Sequence, residues 1–298
     1  MREELEFLSS LEDGLISSQR LHATGFDARG IDRLIAAAEL VRVRRGWYAT
    51  SANWAAEGRD GRYRMLIRAT DASSPHGLTV SHLSAVAMHG LPTIGDWPTT
   101  VHTCDPQASG GSKARYITTH RAGRTPSVEV IDGVAVVSLA RALVDVAVTE
   151  SPERSVAAID AALRREAERH RRAWRDPQAL RGAPFVPLSA DVLLNELDAV
   201  DPPFHRARAE AVIRFADARS GSPGESLSRV RMRQANFVIP ELQVRFPEVL
   251  GRVAEVDFYL DGIRKIQEFD GKFKYTRGAI VKPNEDPGEI VWKEKRRE

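Results

Sequence analysis

The chain has 298 residues, of which 42% are hydrophobic and 28% charged, a composition typical of a globular protein with more than one core. Its 43 basic and 41 acidic residues leave a formal net charge of +2, which neither requires nor excludes a nucleic-acid partner. The single cysteine excludes an intramolecular disulfide and a cysteine-rich zinc site. No apolar run approaches the ~18 residues of a membrane helix. The acid-rich first residues lack the basic region of an export signal, so we expect a cytoplasmic protein with no membrane partner.

The first forty residues predict three short helices. Leucines at helical spacing indicate the first of them: Leu5, Leu8, Leu11 and Leu15. Ser17 and Ser18 favour the start of a second helix, which Gly25 ends. Asp27 can cap a third helix over 28–38. The apolar face of this third helix is expected to hold Ile31, Leu34, Ile35 and Ala38.

A basic hairpin is predicted directly after these helices, over 40–48, from alternation, β-branched and aromatic residues and Gly46. Three helices followed by a basic hairpin are typical of a winged helix-turn-helix. The third helix of that motif enters the major groove, and the wing lies on phosphates. The candidate DNA-contacting residues are Ser18, Arg29, Arg33, Arg42, Arg44 and Arg45. The same elements also fit a dimerisation or protein-docking module without DNA contact.

The middle of the chain, about 60–215, predicts an α+β arrangement. Helices are expected at 62–72, 80–89, 138–148 and 152–172. Short strands are expected at 100–103, 116–120 and 128–137, the last interrupted by Asp132-Gly133. Four histidines in this region lack the spacing of metal ligands, so we interpret them as packing or surface residues: His82, His89, His102 and His120.

The segment 252–270 predicts a hairpin with a two-residue turn at Asp261-Gly262. This turn would set Glu255 opposite Glu268 and Asp257 opposite Ile266. Strand alternation then predicts a core face of Ala254, Val256, Phe258, Leu260, Ile263 and Phe269. The other face would carry four acids: Glu255, Asp257, Glu268 and Asp270.

Four carboxylates on one small face repel one another, and a bound cation would explain their clustering. Asp257 and Glu268 would be diagonal neighbours, near enough to share one Mg²⁺, which prefers oxygen ligands and lowers the pKa of a bound water. Ordinary ion pairs with nearby arginines and lysines would explain each acid taken by itself.

The order of segments resembles a known family. The stretch LISSQRLHATGFDARGIDRLIAAAELVRVRRGWYAT is similar to the N-terminal winged helix of the AbiEi-type antitoxins of type IV toxin–antitoxin systems. The stretches TVSHLSAVAMHGLP and VIDGVAVVSLARALVDVA resemble the linking domain that follows it in many actinobacterial members. The last third, with SPGESLSRVRMRQ and AEVDFYLDGIRKIQEFDGKFKY, is similar to the Vsr-like branch of the restriction-endonuclease, or PD-(D/E)XK, fold.

The nuclease resemblance implies a set of site residues. Asp270-Gly271-Lys272 has the D-x-K spacing of that class, in which the lysine stabilises charge developing on the phosphate. Glu225 stands at a predicted helix start, where the fold places a further metal ligand. The catalytic set is therefore Asp257, Glu268, Asp270 and Lys272, the Mg²⁺ ligands are Glu225, Asp257, Glu268 and Asp270, and Lys274 is a further DNA contact.

The predicted fold class is α+β multidomain: a winged helix-turn-helix at 1–52, an α+β linking domain at 60–215 and a restriction-endonuclease-like α/β core at 218–298. The last residues have the pattern of a helix start, so we expect this third domain to be truncated or minimal. The expected function is a regulator that binds double-stranded DNA, with a cognate toxin as partner. The alternatives are a Mg²⁺-dependent endonuclease and a degenerate nuclease fold that serves as an interaction surface.

Overall fold

A computed structural model describes residues 2–175, 187–200, 205–249 and 252–269. These residues form an α+β protein with eleven α-helices and three sheets. The chain divides into two compact units, Met1–Ala218 and Arg219–Glu298, which we call unit 1 and unit 2 and describe separately.

Unit 1 begins with three helices and a small sheet. In chain order they are α1 Arg2–Ser10, β1 Ile16–Ser17, α2 Ser18–Ala23, α3 Ala28–Ala36, β2 Leu40–Arg44 and β3 Trp47–Thr50. All pairs in the sheet are antiparallel, and β3 lies between β1 and β2. The three helices and this sheet share one apolar core, which includes Leu5, Leu21, Ile31, Leu34 and Leu40.

The sequence explains where α2 and α3 begin and end. The hydroxyl of Ser17 caps α2 by accepting from the Arg20 amide, and the Asp27 carboxylate caps α3 by accepting from Gly30 N–H at 2.6 Å. The Asp27 cap and the burial of Ile31 and Leu34 confirm the prediction for α3. The predicted place of Ala38 on its apolar face is wrong: α3 ends at Ala36, and Ala38 is exposed with a φ of 55°.

The next part of unit 1 contains a six-stranded mixed sheet. Helices α4 Ser51–Ala56, α5 Arg59–Asp71 and α6 His82–Met88 belong to this part. The strands of the sheet are β4 Thr79–Val80, β5 Val101–Asp105, β6 Ser112–Lys113, β7 Ile117–Arg121, β8 Val128–Ile131 and β9 Val134–Val137. Their order across the sheet is β6-β7-β5-β4-β9-β8. Pairs β4–β9 and β5–β7 are parallel, and β4–β5, β6–β7 and β8–β9 are antiparallel.

Four further helices complete the described part of unit 1. They are α7 Leu139–Thr149, α8 Pro152–Arg175, α9 Ala190–Asp198 and α10 Arg206–Phe215. Helix α7 is buried for most of its length and carries an internal ion pair, Arg141 Nε to Asp145 Oδ1, at 2.7 Å. Both of these side chains are only 4% exposed. The Arg141 guanidinium also donates to the Ala122 carbonyl at 2.9 Å.

Unit 2 contains α11 Pro223–Gln234 and a three-stranded antiparallel sheet of β10 Glu241–Val249, β11 Arg252–Leu260 and β12 Lys265–Gln267. The predicted core face of β11 is confirmed for Val256, Phe258 and Leu260. The predicted two-residue turn is wrong. Asp261–Ile263 form a 3₁₀ turn and Arg264 adopts a left-handed conformation, so Leu260 pairs with Lys265 and Tyr259 with Ile266. As a result Ile263 lies in the turn, 54% exposed, and not on the core face.

Candidate functional site

The outer face of α3 is cationic. Arg29 and Arg33 lie one turn apart and are exposed, with Asp32 beside them, while Ile31 and Leu34 on the opposite face are buried. The 3.6-residue period therefore separates a core face from a polar face. Because the caps at both ends of the helix fix its position, the two arginines are presented on a rigid element.

The β2–β3 hairpin lies next to this helix. Arg42 bonds Asp32 of α3 at 3.3 Å, and both side chains are more than half exposed. Such an exposed pair contributes little to stability, about 0–1 kcal/mol, and a phosphate can replace the carboxylate as partner of Arg42. At the hairpin tip Arg45 is exposed, and the Ser18 backbone amide donates to the Gly46 carbonyl at 2.8 Å. Ser18 thus begins α2 against the tip of the hairpin.

Arg44 has a different environment from the other hairpin arginines. It is half-buried, and its guanidinium carbon lies 4.5 Å from the centre of the Tyr116 ring. Burial lowers the pKa of Arg44 from its ordinary value. A cation over an aromatic face is attracted by the ring quadrupole. Arg44 therefore joins the hairpin to the loop between β6 and β7.

In unit 2, two predicted metal ligands share one hydrogen-bond donor. The Gln243 side-chain amide donates to Glu225 Oε2 at 3.3 Å and to Asp257 Oδ1 at 3.2 Å. Glu225 is 5% exposed, and Gln243 has a φ of 51° within β10. The structure thus brings carboxylates from α11 and β11 together through a glutamine that the sequence did not single out.

Both carboxylates also have local structural roles. Glu225 accepts from the Gly221 amide at 2.7 Å and from the Ser222 hydroxyl at 2.9 Å, as the acid of a capping box does at a helix start. A side chain on Gly221 would place its Cβ 2.8 Å from Glu225 Oε1, so the carboxylate would have to shift to admit it. The second oxygen of Asp257 accepts from the Phe269 amide at 2.9 Å.

The remaining predicted acids do not join this pair as expected. Glu255 lies opposite Arg245 on β10 and bonds it at 2.7 Å, so its charge is balanced by an ion pair. The predicted Glu255–Glu268 pairing is wrong, because the β11–β12 register differs by two residues and Glu268 follows the end of β12. Asp270, Lys272 and Lys274 lie outside the described residues. Within the described ranges, no group of three or more His, Cys, Asp and Glu side chains is arranged to hold a metal.

Three histidines that looked unrelated in the sequence meet in unit 1. The rings of His82 and His120 stack with centroids 3.6 Å apart, and His120 Nε2 lies 3.1 Å from His102 Nδ1. His82 Nδ1 bonds the Ser81 hydroxyl at 2.9 Å and lies 3.6 Å from Asp145 Oδ2. We call His82, His102 and His120 the histidine cluster. Parallel stacked rings cannot both point a nitrogen at one ion, so the cluster in this geometry is not a metal site.

Burial sets the proton affinity of these groups. Desolvation lowers the pKa of all three histidines, and that of His102 falls to about 4. Desolvation also raises the pKa of Asp145 to about 6, against the opposing effect of Arg141. At neutral pH the cluster is uncharged.

No family model matches the chain, and no curated protein matches it. In the part of the chain that the structure describes, no helix combines the length and the apolar character needed to cross a membrane.

Proposed function

We propose that the chain is a DNA-binding regulator whose N-terminal 52 residues act as a winged helix-turn-helix. One observation carries this proposal. The element order α1-β1-α2-α3-β2-β3, with β3 between β1 and β2, is the order of a winged helix, and the outer face of its third helix carries Arg29 and Arg33. The resemblance to AbiEi-type antitoxins adds two expectations: repression of its own operon and a toxin as protein partner.

Charge and geometry support DNA as the partner of this module. Residues 40–56 contain three arginines and no acid. Arg42 and Arg45 are exposed on the hairpin next to α3, so a duplex lying against α3 would also bring its phosphates to the hairpin. A pure docking module would not need cations on both the helix and the adjacent hairpin.

The test is DNA binding by a variant of α3. Replacing Arg29 and Arg33 together with alanine should lower affinity for the selected sequence at least tenfold, because each contact to a base edge is worth about 1–3 kcal/mol. Fluorescence anisotropy measures this loss on duplexes that the wild type selects from a randomised library. Arg171→Ala with Arg172→Ala removes two exposed charges from α8 and serves as the matched control. Equal affinity of the Arg29/Arg33 variant and the wild type would refute the proposal.

A second candidate function is Mg²⁺-dependent DNA cleavage by unit 2, favoured by the meeting of Glu225 and Asp257 at Gln243. Two carboxylates suit Mg²⁺, which binds oxygen ligands and keeps several waters. Their oxygens already accept hydrogen bonds from Gln243, Ser222 and two backbone amides, so the described residues alone do not complete a metal site. Asp270, a predicted ligand outside the described residues, is needed to complete the metal site, and the predicted role of Lys272 is to stabilise charge on the phosphate.

Cleavage of supercoiled plasmid tests this second function. We expect Mg²⁺-dependent nicking that Asp257→Asn reduces at least a hundredfold, with Glu255→Gln as a control because Glu255 pairs with Arg245. Wild-type protein that binds DNA but leaves the plasmid intact would instead support the degenerate nuclease fold.

A further inference from the structure

We propose that the DNA-contacting surface of unit 1 continues from the β2–β3 hairpin onto β6 and the β6–β7 loop, where Lys113 of β6 and Arg115 of the loop contact phosphates that flank the site read by α3. This inference rests on the proposed function and extends it to a part of the chain outside the winged helix. The occupant is duplex DNA, recognised through its backbone and not through its bases.

The first support is a direct contact between the two regions. The guanidinium of Arg44 lies 4.5 Å from the centre of the Tyr116 ring, and the guanidinium of Arg115 lies 5.2 Å from the same ring. Two cations therefore gather at one tyrosine, although like charges repel. This arrangement makes the hairpin and the β6–β7 loop one continuous cationic surface.

The second support is the rigidity of the loop. Lys113 pairs with Thr118 in the β6–β7 ladder, and the Ala114 amide donates to the Ile117 carbonyl at 2.8 Å, which closes a tight turn. The Tyr116 carbonyl accepts from Val101 of the central strand β5 at 2.7 Å. Little conformational entropy is lost when an ordered cationic turn binds, so its charges are favourably placed for phosphates.

The third support is the distribution of charge. Residues 106–120 contain Lys113 and Arg115 but no acid, whereas the whole chain has almost as many acids as bases. Lys113 and Arg115 are both exposed. A solvated loop without a polyanionic partner has no need to exclude acids over so long a stretch.

Salt-dependent binding to duplexes of 12 and 30 base pairs, both carrying the sequence that the wild type selects, tests the inference. The shorter duplex is about one helical turn and offers few flanking phosphates. Lys113→Ala with Arg115→Ala should weaken binding to the longer duplex several-fold and reduce the slope of log affinity against log salt by about 1.8, since each lost phosphate contact contributes about 0.9. Affinity for the shorter duplex should stay within twofold of the wild type.

The matched control is Arg121→Ala with Arg124→Ala, which removes the same charge at and beyond the far end of β7. Arg121 lies three residues along β7 from Thr118, the partner of Lys113, or roughly 10 Å. An unchanged salt slope for the Lys113/Arg115 variant, with binding still lost on replacing Arg29 and Arg33, overturns this inference and leaves the proposed function intact. Failure of the wild type to bind any duplex removes both. A poly-glutamate peptide provides a further test. If the Lys113/Arg115 variant binds this peptide more weakly than the wild type but binds DNA equally well, the surface recognises an acidic protein and the inference is overturned.

Discussion

Replacing Arg141 with methionine is expected to lower the free energy of unfolding of unit 1 by about 3–5 kcal/mol. The arginine and Asp145 are both 4% exposed and bond each other at 2.7 Å, so the change leaves a buried carboxylate without its countercharge. It also leaves the Ala122 carbonyl without the guanidinium donor. Urea unfolding followed by tryptophan fluorescence, with the other four tryptophans replaced by phenylalanine so that the buried Trp97 of unit 1 reports, measures the loss.

The double variant Arg141→Met with Asp145→Leu provides the control. Removing both charges eliminates the desolvation cost of an unpaired carboxylate, so most of the lost stability should return. The single variant should also lose less stability at pH 5 than at pH 8, because Asp145 then becomes protonated and neutral. A loss below 1 kcal/mol at pH 8 would show that the ion pair does not hold α7 in place.

Acidification from pH 6.5 to 4 is expected to destabilise unit 1. The folded-state pKa values of the histidine cluster lie below the ordinary value of 6.5, so between these limits the unfolded chain binds more protons than the folded one. Each such proton makes stability fall by about 1.4 kcal/mol per pH unit. Asp145, with its pKa raised to about 6, acts in the opposite direction but is one group against three.

Unfolding free energies measured at several pH values test this expectation. His102→Asn retains a polar side chain beside His120 but removes one titrating group. The slope of the unfolding free energy against pH should therefore fall by the contribution of one proton, about 1.4 kcal/mol per pH unit. Replacing His76, which is exposed and outside the cluster, with asparagine controls for the loss of an imidazole. His89 is also shifted downward by burial, so a residual slope is expected in every variant. The same slope in His102→Asn as in the wild type would exclude His102 as a source of the pH dependence.

Local signals predicted several elements of this chain but not α4, α9 or α10. The leucine spacing also extended the first helix too far, since α1 ends at Ser10 and Leu11 is exposed. The strand expected over 128–137 is a hairpin of β8 and β9, because Asp132 and Gly133 have φ values of 48° and 78° and form the turn that this dipeptide favours. The helix expected over 62–72 is α5, which begins three residues earlier, at Arg59. Periodicity reports which face of an element is buried and so identifies the element before any tertiary contact is known.

The C-terminal hairpin marks the limit of such reasoning. The alternation on β11 correctly predicted the buried face. A shift of two residues in the β11–β12 register keeps each side chain on the same face of the sheet but places it opposite a different residue. The structure therefore sets Ile266 opposite Tyr259 and not opposite Asp257. The sequence contains no signal for this choice, because the turn conformation around Arg264 decides it.

Contacts between distant positions could not be predicted from spacing at all. His82, His102 and His120 come from α6, β5 and β7, and they meet only because β5 and β7 are parallel neighbours beside α6. Gln243 joins Glu225 to Asp257 from a third element, with a backbone conformation unusual for a strand. Of the predicted metal ligands, Glu225 and Asp257 do meet. The cap of α11 fixes the backbone of Glu225, and the sheet fixes the backbone of Asp257.

The single cysteine makes the opening of unit 1 directly observable. Cys104 lies on β5, one strand from His120, and its thiol is 6% exposed with a pKa raised by burial to about 11. At pH 8 roughly one thiol in a thousand is ionised, so alkylating reagents have almost nothing to attack in the closed state. Labelling is therefore expected mainly in molecules whose sheet has opened around β5. The rate of alkylation in the intact protein therefore reports how often the sheet opens around β5, without a reporter having to be introduced.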